Sequence, residues 1–326
     1  MGHPALRKTP IARSALVLLK HYCTLEPMQK RQKVLVIVGP TSSGKSALAV
    51  ELARKFNGEV ISADSRQVYS GLDIGTGKIT RREMKGIRHH LLDVSDPCRT
   101  FTAHDFVERA QLAIYDISQR GKLPIIAGGT GFYIDALVGR IAVPNVIPDL
   151  KLRARLEKKS AAQLYALLKK RDPRRARTIE PEHKRRLIRA LEIVAALGKN
   201  PAPATIARYD MLWLGIAPPV KELEKKISLR LQTRMKRGMI TEVKRLHASG
   251  LSYKRMEVLG LEYRALARFL QKKITHEELM HEIERGSRNY AKKQLAYWRR
   301  NNDIKWFKPA QMPRISGLVE KWLNRK

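Results

Sequence analysis

The chain reads as an α/β protein, a parallel sheet flanked by helices and interrupted by a basic helical insertion. Two observations predict this class. Short apolar runs alternate with helical patterns from residue 34 to about residue 140, the signature of βαβ units. The alternation then stops at a stretch rich in arginine and lysine and resumes near Met211.

Val34 to Val38 is apolar at every position, as a parallel strand buried on both faces requires. It leads into Gly39, Pro40, Thr41, Ser42, Ser43, Gly44, Lys45 and Ser46, which together complete the pattern G-x-x-x-x-G-K-[ST], and Ala47 to Ala53 follows as a helix. A glycine-rich loop between a strand and a helix points backbone N–H groups at phosphate oxygens. The lysine adds a mobile positive charge, and the last hydroxyl can sit on a Mg²⁺ ion. The sheet is therefore expected to be a P-loop sheet. Further strands are expected at Glu59 to Ala63, His90 to Val94, Leu123 to Ala127 and Met211 to Ile216, with a covering helix from Ala103 to Gln119. The fourth strand runs into a second glycine turn, Gly128-Gly129-Thr130-Gly131. Ligands of open α/β sheets bind at the carboxyl ends of the strands, so both glycine turns and Asp64 should converge on one crevice.

After Gly139 the pattern changes. Pro144 and Pro148 precede a helix-rich stretch from Leu150 to Leu197, closed by the proline-containing segment Asn200 to Pro203. Val220 to Arg300 is again helical, with a turn expected at His247 to Tyr253. The expected organisation is an N-terminal extension (1–32), a catalytic core in two pieces (33–140 and 205–310), a helical insertion (141–204) and a C-terminal tail (311–326). Residues 1–32 stand outside the fold argument, because Met28 is a candidate start just ahead of the first strand.

Lys and Arg total 65 against 30 Asp and Glu, a net charge of +35, so a polyanion is the expected partner and nucleic acid the first choice. The excess is clustered. The insertion holds 16 basic and 6 acidic residues, and Arg285 to Arg300 holds Arg285, Arg288, Lys292, Lys293, Arg299 and Arg300 with no acid. Two distant cysteines, Cys23 and Cys98, form no metal spacing and point to a reducing cytosol. Nothing approaches the roughly 18 consecutive apolar residues of a membrane span. His89 and His90 are adjacent, and neighbouring strand residues face opposite ways, so they make a poor metal pair.

Taken in order, the motifs resemble the tRNA dimethylallyltransferases, also called tRNA isopentenyltransferases, of the bacterial type. The resemblance rests on GPTSSGKS, on DSRQVYSGLDIGTGK from Asp64 to Lys78, and on HHLLDVSDP from His89 to Pro97. It continues with GGTGFY from Gly128, RRLIRALEI from Arg185, Arg230 with Gly238, and RNYAKKQ from Arg288 to Gln294. It implies a cytoplasmic enzyme that moves a dimethylallyl group from dimethylallyl diphosphate to the exocyclic amine of the adenine 3′-adjacent to the anticodon. The implied partners are the anticodon stem-loop of tRNA and the prenyl donor, with no membrane, and the chain is expected to act as a monomer. Gly39 to Ser46 and a Mg²⁺ ion on Ser46 would hold the diphosphate, with Arg230 as a second clamp. Asp64 would be the general base or would orient the amine, and Thr130 would contact substrate. Asp64, Ser65, Arg66, Gln67 and Thr130 would meet the RNA loop, and Arg153, Arg185, Arg186, Leu187, Ile188 and Arg189 would meet the stem.

The residues alone leave other roles open. Asp64 also fits a metal ligand, Thr130 a turn-capping hydroxyl and Arg230 a surface helix residue. Leu187, Leu191 and Val194 fit an amphipathic core face better than an RNA contact. An adenylate isopentenyltransferase or an ATP-using P-loop protein remains the alternative function.

Overall fold

A computed structural model describes residues 31–203 and 208–325. The expected N-terminal extension lies, through residue 30, outside the described residues, and so does Cys23. The sheet has six strands in the order β3-β2-β4-β1-β5-β6. They are β1 (Gln32–Val38), β2 (Gly58–Ser62), β3 (His89–His90), β4 (Leu123–Gly128), β5 (Tyr209–Ile216) and β6 (Lys305–Phe307). The ladders β1 with β4, β4 with β2, β2 with β3 and β5 with β6 are parallel.

The all-apolar first strand is used on both faces. Val34, Val36 and Val38 enter one core with Ile61, Ile126, helix α3 (Ala103–Gln119) and helix α4 (Gly131–Leu137). Leu35 and Ile37 enter the other, with Leu48, Ala49 and Leu52 of helix α1 (Lys45–Lys55). Helix α2 (Arg81–Met84) is a short capped turn between β2 and β3. Helix α3 has the predicted bounds, and its start is fixed where Thr102 and Asp105 form a capping box, each side chain satisfying the other's backbone N–H.

The basic stretch after Gly139 forms four helices, α5 (Leu150–Glu157), α6 (Ala161–Arg171), α7 (Pro173–Ala176) and α8 (Lys184–Leu197). They enclose a hydrophobic cluster of their own, built on Leu156, Leu164, Leu168, Leu187, Ile188, Leu191 and Val194. After β5 come α9 (Val220–Lys236), α10 (Met239–Ala248), α11 (Tyr253–Met256), α12 (Leu261–Leu270) and the 23-residue α13 (His276–Trp298). The turn expected at His247 to Tyr253 is the break between α10 and α11.

Two expectations need correction. The strand at His90 to Val94 ends after His90, because Leu91 and Asp93 adopt left-handed φ values of 62° and 56°. The chain leaves β2 and bonds instead to the loop behind it, Val94 N–H donating to the Val68 carbonyl at 2.8 Å and Ser70 N–H to that of Ser95 at 2.9 Å. The C-terminal tail is a helix packed on the sheet: α14 (Met312–Leu323) places Ile315, Val319 and Trp322 in one core with Leu35, Leu212 and Leu214.

Candidate active site

Strands β2, β4 and β1 are neighbours, so the segments leaving their carboxyl ends lie side by side. These are the Asp64 turn, the second glycine turn and the phosphate loop. Each glycine of GGTG that follows β4 is required by a different close approach. A Cβ at Gly128 would collide with the Ala63 carbonyl, one at Gly129 with the Gln294 amide and one at Gly131 with the Tyr297 ring. At the start of the phosphate loop, a Cβ at Gly39 would run into the Ile216 carbonyl of β5. Gly44, at φ 94°, turns the chain into α1, and no side chain caps that helix's first turn. The leading N–H groups of an uncapped helix carry partial positive charge and suit an anion.

Lys45 lies in the loop with its Nζ donating to the Pro40 carbonyl at 3.1 Å. Burial lowers its pKa to about 8; the Asp64 carboxylate opposes the shift and the Arg230 guanidinium adds to it. Three predicted residues thus feel one another's charge across the crevice: Lys45 from the loop, Asp64 from beyond β2 and Arg230 from α9. Arg230 Nη2 donates to the Gly77 carbonyl at 2.6 Å, and burial depresses its pKa as well. It is therefore not the surface helix residue that sequence alone allowed.

Asp64 Oδ1 accepts the Arg66 N–H at 2.8 Å and the Gln67 N–H at 3.3 Å, a turn in which the carboxylate holds two of the residues that follow it. Thr130 begins α4 without capping it; its Oγ1 instead accepts the Ser65 N–H at 3.0 Å. The hydroxyl thus ties the Asp64 turn to the second glycine turn. Ser46, the predicted Mg²⁺ ligand, is exposed at the second position of α1.

The DIGTG loop before Lys78 is held from beneath. Glu242 accepts N–H groups of Asp73, Ile74 and Gly75 at 3.1, 2.6 and 2.8 Å and the Tyr263 hydroxyl at 2.8 Å. Arg234 donates to the Ile74 carbonyl at 2.7 Å and also to that of Gly75. Sequence reasoning misses both supports; the glycines mark the loop as close-packed without showing what packs on it. It also misses the part played by Gln294, because only the charges of RNYAKKQ carry a signal in the sequence.

The predicted stem contacts divide. Arg185 is exposed, and Arg186 is exposed beside an exposed Glu180 at 2.9 Å. Arg153 makes a paired contact with buried Glu192 at 2.6 and 2.7 Å, and Arg189 reaches the same carboxylate at 3.3 Å. Leu187 and Ile188, named among the RNA contacts, are 0% and 4% exposed within the α5–α8 cluster and belong to its core. Exposed Arg285, Lys292 and Lys293, with Arg299 just beyond the helix, leave the C-terminal half of α13 positive, whereas its first turn carries exposed Glu277 and Glu278. Among the described residues no group of three or more His, Cys, Asp or Glu could hold a metal. His90 is taken up by Glu59 at 2.8 Å and His89 by the Ile87 carbonyl at 2.9 Å. No described helix is long and apolar enough to cross a membrane.

Fold and site together define a P-loop α/β protein whose phosphate cradle opens onto a carboxylate and a second cation. The chain belongs to the IPP transferase family, whose model matches residues 67–301. Among its relatives, the tRNA dimethylallyltransferase of Thermomicrobium roseum is 40% identical over 92% of this chain and 94% of its own length. That of Anoxybacillus flavithermus is 38% identical over 85% of this chain and 90% of its own. Among solved structures, the full-length tRNA isopentenylpyrophosphate transferase of Bacillus halodurans superposes with a TM-score of 0.69 at 35% identity, covering 90% of this chain and 97% of the other. A eukaryotic dimethylallyltransferase acting on tRNA gives a TM-score of 0.79 at 29% identity, covering 90% of this chain and 80% of its own.

Proposed function

We propose that this protein transfers a dimethylallyl group from dimethylallyl diphosphate to the exocyclic amine of the adenine 3′-adjacent to the anticodon of tRNA. The observation that carries the reading is the convergence of Lys45, Asp64 and Arg230 at the mouth of an uncapped phosphate loop, in a chain of this family.

In this reading the amine's lone pair attacks the allylic carbon while that carbon's bond to the diphosphate oxygen breaks, its electron pair leaving with the diphosphate. The leading N–H groups of α1, Lys45 and Arg230 stabilise the charge that grows on the leaving group. The new C–N bond leaves nitrogen with a surplus proton, and Asp64 orients the amine and takes that proton. Thr130, bonded to the backbone of Ser65, keeps the Asp64 turn at the edge where the acceptor enters.

The side chains present suit a magnesium ion that arrives with its phosphates. Ser46 supplies one hydroxyl, the Asp64 carboxylate acts on Lys45 across the crevice, and no all-protein cage exists among the described residues. Such an ion supplies Lewis-acid stabilisation of the diphosphate. The acceptor base has to leave its stack to reach a site at the sheet edge. We assign the α5–α8 insertion, through exposed Arg185 and Arg186, and the basic C-terminal half of α13 to the RNA backbone, with Ser65, Arg66 and Gln67 at the loop. The reaction belongs in the cytosol.

The test is incubation of the protein with radiolabelled dimethylallyl diphosphate, Mg²⁺ and either bulk tRNA or AMP. Label is expected in tRNA. Label in AMP alone would assign the chain to free-nucleotide prenylation, and label in neither would overturn the transfer reading.

A further inference from the structure

Gln294 is 6% exposed on α13, a helix otherwise marked by its charges. Its side-chain amide spans two backbones. Oε1 accepts the Thr41 N–H of the phosphate loop at 2.8 Å, and Nε2 donates to the Gly129 carbonyl of the second glycine turn at 3.0 Å. One backbone group is a donor and the other an acceptor, so a single amide orientation satisfies both. We propose that Gln294 is a positioning residue for the transfer reaction: it sets the phosphate loop against the turn carrying Thr130, and with it the leaving group against the acceptor. The inference rests on the reading given under Proposed function.

Three observations support it. The bridge lies close against the turn, since a Cβ at Gly129 would meet the Gln294 amide nitrogen. The bond to Thr41 turns that N–H away from the cradle, and the Ser43 N–H is likewise spent on the Pro40 carbonyl at 3.3 Å. Anion contact is thereby left to the N–H groups at the start of α1. The helix that carries the bridge is itself fixed to the same turn one step further on. There the Tyr297 hydroxyl bonds the Asp135 carboxylate, its ring covers Gly131, and Trp298 is 1% exposed. Gln294 thus acts through backbones fixed on both sides, and displacements near 1 Å at a reacting centre cost about 100-fold in rate.

Gln294→Met keeps the length and bulk of the side chain and removes both hydrogen bonds. Gln294→Glu keeps an acceptor for Thr41, loses the donor to Gly129 and adds a negative charge beside the cradle. Each would be measured for thermal midpoint, Kd for inorganic diphosphate with Mg²⁺, Kd for tRNA and single-turnover transfer. The Met variant should transfer about 10- to 100-fold more slowly with tRNA affinity within about twofold, and the Glu variant should lose diphosphate affinity beyond the Met variant. A Met variant with wild-type rate and wild-type diphosphate Kd would overturn the proposal, as would a rate defect that vanishes when the assay is cooled well below the variant's midpoint. If Met does not fold, the same comparison is made on Glu. If the wild-type protein transfers no prenyl group to tRNA, the functional reading fails by itself, and the diphosphate Kd values of wild type and variants then decide the bridge.

Discussion

Glu242 is expected to be the most expensive single side chain to remove near the site. It is 4% exposed and holds four donors: three successive backbone N–H groups of the DIGTG loop and the hydroxyl of Tyr263, which is 1% exposed. Glu242→Ala leaves these without their acceptor. The Gly75 N–H and the Tyr263 hydroxyl are the two whose bonds are fully buried, and at about 1–3 kcal/mol for each stranded donor the expected loss is about 4 kcal/mol. The Asp73 and Ile74 amides lie nearer the surface and recover water, so they add little. Set against a total stability of about 5–15 kcal/mol, this would lower the thermal midpoint by about 6 °C. Urea denaturation followed by tryptophan fluorescence measures the loss directly. Glu222→Ala is the control, because its pair with Lys226 on α9 is exposed on both sides and should cost less than about 0.5 kcal/mol. The same loop offers the Gly77 carbonyl to Arg230, so a folded Glu242→Ala protein should also bind diphosphate more weakly. A loss below about 1 kcal/mol, or one equal to that of Glu222→Ala, would refute the view that this carboxylate holds the loop.

Lys45 binds an anion as an ammonium, and burial brings its pKa down to about 8, so its contribution to diphosphate affinity should be constant below pH 8 and should fall above it by up to about tenfold per pH unit. Lys45→Arg should move that break out of range, and an unchanged break would exclude Lys45 as its source. The sign for stability is the reverse: a folded pKa below the unfolded 10.5 means the unfolded chain holds the extra proton between about pH 8 and 10.5, so this group's contribution to stability rises across that window. Asp64→Asn should slow single-turnover transfer by about 10²- to 10⁴-fold with tRNA affinity unchanged; a near-normal rate would remove Asp64 from the chemistry. Arg185→Ala with Arg186→Ala should reduce the magnitude of the salt dependence of tRNA binding by up to about 1.4 in log–log slope. Arg153→Ala takes the nearer cation from buried Glu192 and leaves it only Arg189, so it should instead destabilise the insertion by about 2–3 kcal/mol, less than the full cost of a stranded buried charge. Equal slope changes in the two variants would contradict this division of labour.

The strands and the phosphate loop were legible because their signals are local. Five apolar residues in a row at Val34 to Val38 have no favourable place except between two packed layers, and GPTSSGKS imposes its turn through its own glycines. Helix α3 was legible because its apolar residues recur at helical spacing, and its buried side is Phe106, Ala110, Ala113, Ile114 and Ile117. The convergence of Asp64, Thr130 and the phosphate loop could be inferred because strands in a parallel sheet present their carboxyl ends to one edge. At Leu187 two signals compete: the helical spacing that marks it as core is right, and its place among the RNA contacts, which came with the motif around it, is wrong.

Sequence alone therefore determined the central strands, the phosphate cradle, the basic insertion and the edge at which the site forms, since each depends on residues a few positions apart. Only the tertiary structure decided what presses on that edge. Gln294 meets Gly129 across 165 residues and Glu242 meets Gly75 across 167. β6 has only three residues, too few for any periodicity, and becomes a strand by lying along β5. Leu91 and Asp93 abandon the predicted strand because the loop at residues 67–70 supplies better backbone partners than β2 does. Arg153 is held in an ion pair because a glutamate 39 residues away is buried and needs a cation. In each case the deciding interaction is a hydrogen bond or ion pair between segments distant in the chain, whose worth comes from burial that exists only once the layers have packed.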